Sequence, residues 1–311
     1  MTDFNPAFPT LSNQHLSLSV NPLGAELSNL YSEKNQQEYL WQGDAEFWSG
    51  RATNLFPVCG RFFEGQYSLD GQVYSIGAHG FARQQNFEWV EKGDGHLVFE
   101  LQASAETLAQ WPRDFIYRVS YMLNPAQEQD GVLSSRLQIR FELVNRDKRP
   151  LYAALGGHPG FVLPNEKGFA FEDYRLRFSE AKNPEQAVLT DNKLASGDVA
   201  PFTRLDENRE LGLEHSLFDQ EAIFLRNSGS KAELFAPGGK SRICVHYPDF
   251  SWLGIWHSCH KPAPFVCLEP WTALCGRDQR MEALEEMPSL TVLQPGEQKA
   301  WNWSIEIAEQ A

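Results

Sequence analysis

Strict alternation of apolar and polar residues runs through long stretches of this sequence, and it restricts them to strands that are buried on one face. The clearest stretch covers residues 137–143, LQIRFEL, in which Leu, Ile, Phe and Leu alternate with Gln, Arg and Glu. Residues 301–307, WNWSIEI, repeat the pattern near the C-terminus. Because a two-residue period places every second side chain on one face of a strand, both stretches predict half-buried β-strands.

Shorter stretches of the same kind are separated by turn-forming pairs. The alternating stretches are residues 16–20, 97–101, 243–247 and 253–257. Asp70-Gly71 stands between two further apolar-rich runs and predicts a hairpin. Many short strands at turn-punctuated spacing are typical of an antiparallel sandwich or barrel, so the sequence predicts an all-β fold, a large antiparallel β-sandwich with few short helices.

Three regions depart from this pattern. Residues 104–110 predict a short helix that ends before Pro112, and residues 279–286 predict another that ends near Pro288. Residues 183–209 are polar and lack a clear period, so we expect a long surface loop or a pair of loops there. Since no low-complexity linker interrupts the chain, we expect a single domain over residues 1–311.

Charge and cysteine content exclude several classes of protein. The 311 residues carry a formal net charge of −14, which argues against binding to nucleic acid or to an anionic membrane. The first residues form no signal peptide, and no apolar stretch approaches the length of a membrane span. The five cysteines include no CxxC pair. We therefore expect a cytoplasmic protein with no nucleic-acid or membrane partner, whose oligomeric state the sequence leaves open.

Three short stretches carry candidate chemistry. His79 and Arg83 flank small residues in AHGFAR, His158 lies in the glycine-rich stretch GGHPGF, and Glu269 lies in the apolar stretch FVCLEPW. A carboxylate in apolar surroundings has a raised pKa, which suits a general base, and a histidine elsewhere in the chain could supply the acid. The alternative is that both are buried polar groups with a purely structural role.

Metal and cofactor motifs are absent from the sequence. His257, Cys259 and His260 form a small cluster, but no second ligand pair stands nearby and no HExxH motif occurs. Glycine-rich nucleotide-binding motifs and a GxSxG nucleophile motif are also missing. We therefore expect neither a metal nor a cofactor.

Taken in order, the motifs of this chain resemble the aldose 1-epimerase (galactose mutarotase-like) family over most of its length. The matching stretches are GAEL at 24–27, LW at 40–41, NLFPVCGR at 54–61, HGF at 79–81, GHPGF at 157–161 and LEPW at 268–271. The resemblance implies a β-supersandwich with the sugar in an open groove. It also implies that Glu269 is the catalytic base and His158 the catalytic acid.

The same resemblance assigns sugar-binding residues. His79 matches a second histidine of the family that binds the sugar, and Arg61 matches an arginine that contacts it. Asp219, in LFDQE, corresponds to a sugar-binding aspartate, although its neighbours differ from the usual Asp-His pattern. The stretch Gly157-His158-Pro159 departs from the Asn-His-Ser/Thr form of the best-known galactose mutarotases, so galactose specificity is not implied.

The stretch HGFAR is also similar to one in hexose-6-phosphate mutarotases, in which the arginine contributes to phosphate binding. Arg83 and Arg61 would then hold a phosphate, so the expected partner is a small sugar or a sugar phosphate. The alternative for Arg83 is an ion pair with a strand carboxylate. A non-catalytic carbohydrate-binding sandwich is the alternative, since it would keep Arg61 and Asp219 without needing an acid–base pair. A glycoside hydrolase would need two carboxylates about the bond, and the sequence offers only Glu269 with good credentials.

Overall fold

The computed structural model describes residues 8–93, 95–274 and 276–310, and strands dominate these ranges. One α-helix is present within them, α1 (Ala105–Gln110), together with five 3₁₀ helices at Phe63–Gly65, Ala82–Gln84, Phe171–Asp173, His215–Phe218 and Leu284–Glu286. In the described part of the chain, no helix has the length and apolar character needed to cross a membrane. The predicted all-β fold with few short helices is confirmed.

The strands of the first half are, in chain order, β1 (Thr10–Ser12), β2 (Leu16–Asn21), β3 (Glu26–Ser32), β4 (Gln37–Glu38), β5 (Ala52–Leu55), β6 (Gln66–Leu69), β7 (Gln72–Ser75), β8 (Glu88–Gly93), β9 (His96–Gln102), β10 (Phe115–Leu123), β11 (Gln127–Gln129), β12 (Val132–Asn145), β13 (Leu151–Ala153) and β14 (Gly156–Val162). Those of the second half are β15 (Arg175–Arg177), β16 (Glu185–Leu189), β17 (Ala195–Pro201), β18 (Glu210–Gly212), β19 (Ile223–Arg226), β20 (Lys231–Phe235), β21 (Ser241–His246), β22 (Trp252–Trp256), β23 (Phe265–Trp271), β24 (Glu282–Ala283), β25 (Thr291–Leu293) and β26 (Gln298–Gln310).

Two large antiparallel sheets carry most of these strands. The ten-stranded sheet has the order β18-β15-β20-β21-β26-β12-β10-β9-β8, with β11 added to β12. The seven-stranded sheet has the order β17-β16-β19-β22-β23-β14-β5. Smaller sheets are formed by β1 to β4, by β6, β7 and β24, and by β13 with β25. The β6–β7 pair is the hairpin predicted around Asp70-Gly71.

The two alternating stretches that predict half-buried strands are neighbours in the ten-stranded sheet. β12 and β26 pair so that Leu137 lies opposite Ile305 and Phe141 opposite Trp301. These four side chains are at most 2% exposed, so the apolar face of the pair lies in the core. Burying each of them contributes roughly 1.5–3 kcal/mol of transfer free energy.

The seven-stranded sheet packs closely on this core. Trp303 of β26 lies against Gly157 of β14, where an added Cβ atom would come within 2.5 Å of the tryptophan ring. Any residue larger than glycine at position 157 would therefore collide with the tryptophan ring. Side chains alternate along a strand, so the next residue, His158, lies on the opposite face of the sheet, away from the core.

The residues expected to form a long loop, 183–209, instead contain a hairpin of two edge strands, β16 and β17. β16 pairs with β19 of the seven-stranded sheet, and β17 pairs only with β16. Both strands are largely solvent-accessible on both faces, so the hairpin needs no apolar alternation. Backbone hydrogen bonds hold it to the sheet, and these leave no mark in the hydrophobic pattern.

The helix expected over residues 279–286 is also wrong. The chain there forms β24 and a 3₁₀ turn, and Gln279 has a φ of +53°, which an α-helix does not accommodate. Glu282 is buried, and its carboxylate accepts hydrogen bonds from the Arg277 side chain at 2.7 and 2.8 Å. This ion pair fixes the segment in an irregular path. In contrast, the helix expected over residues 104–110 is confirmed, with Ser104 as its N-cap.

Candidate active site

His158 and Glu269 face each other across neighbouring strands of the seven-stranded sheet. Gly160 of β14 pairs with Cys267 of β23 in antiparallel register, so the same register sets His158 opposite Glu269 two residues along. Residues opposite each other share a face of the sheet. The imidazole Nε2 lies 3.2 Å from the carboxylate Oε2, and the two residues are 7% and 1% exposed.

This pair is the centre of a row of side chains that crosses five strands. Thr53 of β5 lies opposite His158, Gly254 of β22 lies opposite Glu269, and Phe224 of β19 lies opposite Gly254. At Gly254 a Cβ atom would come within 3.2 Å of the Glu269 Cβ and 3.1 Å of the Phe224 ring. The absence of a side chain at Gly254 therefore leaves room for the carboxylate and the ring on either side.

The row forms the floor of a cavity of about 240 Å³. His158 and Glu269 line it, and so do three further residues that the sequence singled out, His79, Arg61 and Arg83. Residues from four separate stretches of the sequence therefore meet at one cavity. The volume suits a single small polar molecule.

The environment of the His158–Glu269 pair disfavours charge on either member. Burial raises the pKa of Glu269 well above its ordinary value, the negative charge of Glu221 adds to the shift, and the Trp271 indole opposes it. Burial lowers the pKa of His158 to about 3, and the positive charge of Arg83 contributes. Both shifts favour the uncharged forms of the pair, carboxylic acid and imidazole. The carboxyl is a strong base once ionised, and the imidazolium is a strong acid once formed.

Aromatic rings fix the orientation of His158. The Trp48 ring stacks on the imidazole with centroids 4.8 Å apart, and the Trp256 ring meets it edge-on at 5.6 Å. Neither tryptophan was singled out from the sequence. No motif marks their position in space, since Trp48 lies in a loop before β5 and Trp256 at the end of β22.

His79 presents a defined hydrogen-bond donor to the cavity. Its backbone adopts a left-handed conformation with φ of +65°, and its N–H donates to the Gly60 carbonyl at 2.6 Å. The Gly60 N–H in turn donates to His79 Nδ1 at 3.1 Å. A backbone amide can only donate, so Nδ1 is unprotonated and the proton of the neutral ring is on Nε2. Burial first, and the nearby charge of His158 second, lower the pKa of His79 well below its ordinary value.

Three cationic side chains line the same cavity. Arg61 is exposed, and among the described residues it has no ion-pair or hydrogen-bond partner. Arg83 donates from Nη2 to the Ala78 carbonyl at 2.9 Å, and burial lowers its pKa. Lys193, from the tip of the β16–β17 hairpin, donates to the Gln220 carbonyl at 3.1 Å. Lys193 was missed from the sequence because its segment reads as a loop.

The structure does not bring Asp219 into the cavity. Its carboxylate is half-exposed and lies 3.1 Å from the Nδ1 atom of His260. Glu221, two residues later, lines the cavity instead and accepts a hydrogen bond from the Trp256 indole at 3.1 Å. Both acids belong to the LFDQE stretch. The difference arises from the backbone at Glu221, whose φ of +100° redirects the chain, and no sequence pattern predicts that conformation for a glutamate.

His257, Cys259 and His260 are close in the sequence, but in the structure the two histidines contact different partners. His257 lies 3.0 Å from the His215 ring and 2.9 Å from the Ser258 carbonyl, and His260 lies beside Asp219. Among the described residues, a different group brings three possible metal-ligand atoms within 4.8 Å of one another, His158, Cys267 and Glu269.

Comparison with known proteins finds relatives of this chain by sequence and by structure. A sequence model described as Aldose 1-epimerase matches residues 9–306. The plasmid-encoded protein LacX of Lactococcus lactis subsp. lactis is 30% identical, over 96% of this chain and 98% of its own length. A galactose mutarotase-like protein from Lactobacillus casei has a similar structure, with a TM-score of 0.87 and 30% identity over 97% of this chain and 100% of its own. A galactose mutarotase related enzyme from Lactobacillus acidophilus gives 0.85 and 27%, over 98% and 97%. The chain therefore belongs to the aldose 1-epimerase family.

Proposed function

We propose that this protein interconverts the α and β anomers of an aldose, with Glu269 and His158 as the acid–base pair. The observation that carries the proposal is the 3.2 Å contact between His158 Nε2 and Glu269 Oε2 on the floor of the cavity. Mutarotation needs one group that removes a proton and one that supplies a proton at a neighbouring oxygen. A histidine and a carboxylate at this distance satisfy that requirement without a cofactor.

In the proposed reaction, Glu269 takes the proton from O1 of the sugar while His158 protonates the ring oxygen O5. The ring opens, the bond to the aldehyde carbon rotates, and closure on the other face reverses both transfers. The pair starts as carboxylate and imidazolium and becomes carboxylic acid and imidazole. Its net charge stays at zero throughout, so no step leaves an uncompensated charge in the buried site.

The opposite pKa shifts of the two groups support this assignment. A raised pKa makes the Glu269 carboxylate a stronger base, and a lowered pKa makes the His158 imidazolium a stronger acid. The same shifts disfavour the charge-separated form, and hydrogen bonds to the sugar would stabilise it. Each positioned proton transfer is typically worth about 10²–10⁴-fold in rate.

The remaining polar side chains would position the sugar. His79 offers its Nε2 proton to a sugar oxygen, and Glu221 offers an acceptor for a hydroxyl in the place first assigned to Asp219. Arg61 would contact the sugar from the exposed rim. The stacked Trp48 ring and the edge-on Trp256 ring enclose His158 and limit the access of water.

The substrate is a free aldose or an aldose phosphate. Arg61, Arg83 and Lys193 give the cavity three cations, which favours a phosphorylated sugar as the competitor of a free hexose. The deciding experiment is a polarimetric mutarotation assay with glucose, galactose and their 6-phosphates. Turnover of any of them supports the proposal. Binding of a sugar without turnover of any aldose or aldose phosphate would favour a non-catalytic carbohydrate-binding protein.

A further inference from the structure

Cys267 has no role in the proposed reaction, yet it lies on the same face of β23 as Glu269, two residues earlier in the strand. Its thiol sulfur, one imidazole nitrogen of His158 and one carboxylate oxygen of Glu269 all lie within 4.8 Å of one another. The three residues are buried, and two of them line the cavity. A thiol, an imidazole and a carboxylate therefore lie together, and the imidazole and the carboxylate face the cavity.

We propose that this trio is a binding site for a thiophilic divalent cation such as Zn²⁺, and that the bound ion is a reversible inhibitor of the protein. The ion would take the two side chains that the proposed reaction uses for proton transfer. Only the kinetic part of the test rests on the proposed function.

The donor set and its spacing select the class of ion. Thiolate, imidazole and carboxylate are the ligands that Zn²⁺ takes in proteins, whereas Mg²⁺ and Ca²⁺ prefer oxygen ligands alone. In a tetrahedral zinc site with bonds of roughly 2.0–2.1 Å, neighbouring nitrogen and oxygen ligands lie about 3.3 Å apart. The His158–Glu269 separation of 3.2 Å already matches that edge. The Cys267 sulfur lies within 4.8 Å of both other ligand atoms, so it would move by at most about 1.2 Å to complete three ligands.

Two features make the ion an inhibitor and not a resident cofactor. A histidine that ligates a metal almost always donates its other ring N–H to a neighbour. His158 Nδ1 is buried and has no hydrogen-bond partner among the described residues. In addition, Cys267 binds as a thiolate, so its proton must leave to solvent when the ion enters. Both features weaken binding and make it reversible.

The test uses the full-length protein and two readouts. Co²⁺ serves as a spectroscopic probe in the absence of sugar, and we expect a thiolate-to-cobalt charge-transfer band that added Zn²⁺ abolishes. In parallel, the mutarotation rate is measured against Zn²⁺ concentration. Cys267→Ala should raise the apparent zinc inhibition constant at least about tenfold, measured against the variant's own metal-free rate, because a lost ligand costs no less than a lost outer-shell partner.

Two matched controls are available on the same chain. Cys244→Ala removes a thiol from the ten-stranded sheet, and Cys259→Ala removes one near Glu221. Both variants should keep the zinc inhibition and the cobalt band of the unmodified protein. The proposal fails if Cys267→Ala leaves the inhibition unchanged, if Cys259→Ala abolishes it, or if the cobalt complex has no thiolate band.

The test remains decisive if Cys267→Ala does not fold or if the protein turns over no sugar. If Cys267→Ala does not fold, Cys267→Ser nearly preserves the buried volume and replaces the sulfur with a poor ligand for a soft cation. If the protein turns over no sugar, the cobalt band still decides the metal site, so the two proposals fail independently.

Discussion

Two strand pairs, one from each large sheet, contrast in how they use their faces. β12 and β26 pair without interruption over 13 residues, from Val132 opposite Gln310 to Val144 opposite Gln298, and their apolar and polar residues alternate. β14 and β23 are buried on both faces and do not alternate. One face of β14 meets the core through Gly157 and the other meets the cavity through His158.

In a strand with one solvent-exposed face, the buried residues contribute to stability alone. In a strand that is buried on both faces, one face can pack in the core while the other lines the cavity. In β23, Leu268 and Pro270 lie on one face, while Cys267 and Glu269 lie on the other. We therefore expect substitutions in β12 and β26 to change folding alone, and substitutions on the cavity face of β14 and β23 to change rate.

The largest expected effect is on rate, from Glu269→Gln. The amide keeps the shape of the side chain but cannot accept the O1 proton, so we expect the mutarotation rate to fall by at least about 10²-fold with sugar binding largely kept. His158→Asn should behave similarly, and the double variant should lose little more, because both groups act in one cycle. A folded Glu269→Gln protein with a near-normal rate would contradict the assignment.

The same substitution in the other pair should act on stability instead. Glu309 of β26 is fully buried, and its carboxylate contacts His15 at 2.9 Å and accepts a hydrogen bond from Ser32 at 3.0 Å. A hydrogen bond to a charged group typically contributes about 1.5–3 kcal/mol, so Glu309→Gln should lower the free energy of unfolding by at least that order. The rate per folded molecule should stay unchanged. Urea unfolding and a rate assay on the same sample separate the two effects.

Glu309 also gives this comparison a pH dependence. The hydrogen bonds from His15, Tyr39 and Ser32 hold its pKa below the ordinary value, despite its burial. The stabilisation from this shift is therefore fully present above the unfolded pKa and is lost as the pH falls through the folded pKa. Glu309→Gln should therefore weaken the pH dependence of the free energy of unfolding below about pH 4.5. An unchanged pH dependence in that range would contradict this prediction.

Gly157→Ala tests the junction between the two sheets. The new Cβ would lie 2.5 Å from the Trp303 ring, so either the ring or β14 must move. Overpacking of this kind costs typically 1–3 kcal/mol of stability. Because His158 is the next residue in the strand, the rate should fall as well. A variant with lower stability and an unchanged rate would show that the cavity face of β14 tolerates displacement of its core face.

Smaller effects are expected from the positioning residues. His79→Asn and Arg61→Ala should raise KM by about tenfold, which corresponds to about 1.4 kcal/mol and to the loss of roughly one hydrogen bond, and leave kcat nearly unchanged. Glu221→Gln belongs to the same group, whereas Asp219→Asn, outside the cavity, should have no effect. A larger fall in kcat than in affinity would move His79 or Arg61 into the chemical step.

The smallest expected effect is that of metal removal. The proposed chemistry is carried by Glu269 and His158 alone, so exhaustive chelation should leave the rate unchanged, or raise it where the preparation contains zinc. The measurement is a mutarotation assay before and after treatment with EDTA. Loss of activity that one divalent ion restores would contradict both this prediction and the inhibitory role of the His158–Cys267–Glu269 trio.

Much of the fold could be predicted from the sequence because burial on one face leaves a periodic trace. The alternating stretches at 16–20, 97–101 and 137–143 all lie in strands. The β16–β17 hairpin and the 279–286 segment could not be predicted, since backbone pairing and one ion pair determine them. The single domain over residues 1–311 and the cytoplasmic location stay predictions.

The candidate site was predictable only where motifs mark it. His158, Glu269 and His79 stand in short stretches with glycine or proline neighbours, and the family resemblance supplied their roles. Glu221, Lys193 and Trp48 have no such surroundings. Their places depend on a left-handed backbone, an edge hairpin and a loop, and these are features of the folded chain rather than of any local pattern.

The way in which the β16–β17 hairpin is attached allows its tip to vary independently of the strands that carry His158 and Glu269. Its tip supplies Lys193 and Leu194 to the cavity wall, while its tether consists of β19 on one side and a backbone hydrogen bond from Asp278 to Ala195 on the other. Residues 189–194 can therefore be randomised in a library without altering β14 and β23, which carry the proposed acid–base pair. If the protein acts on a sugar as proposed, we expect such a library to change which sugar is bound more than the rate of the chemical step.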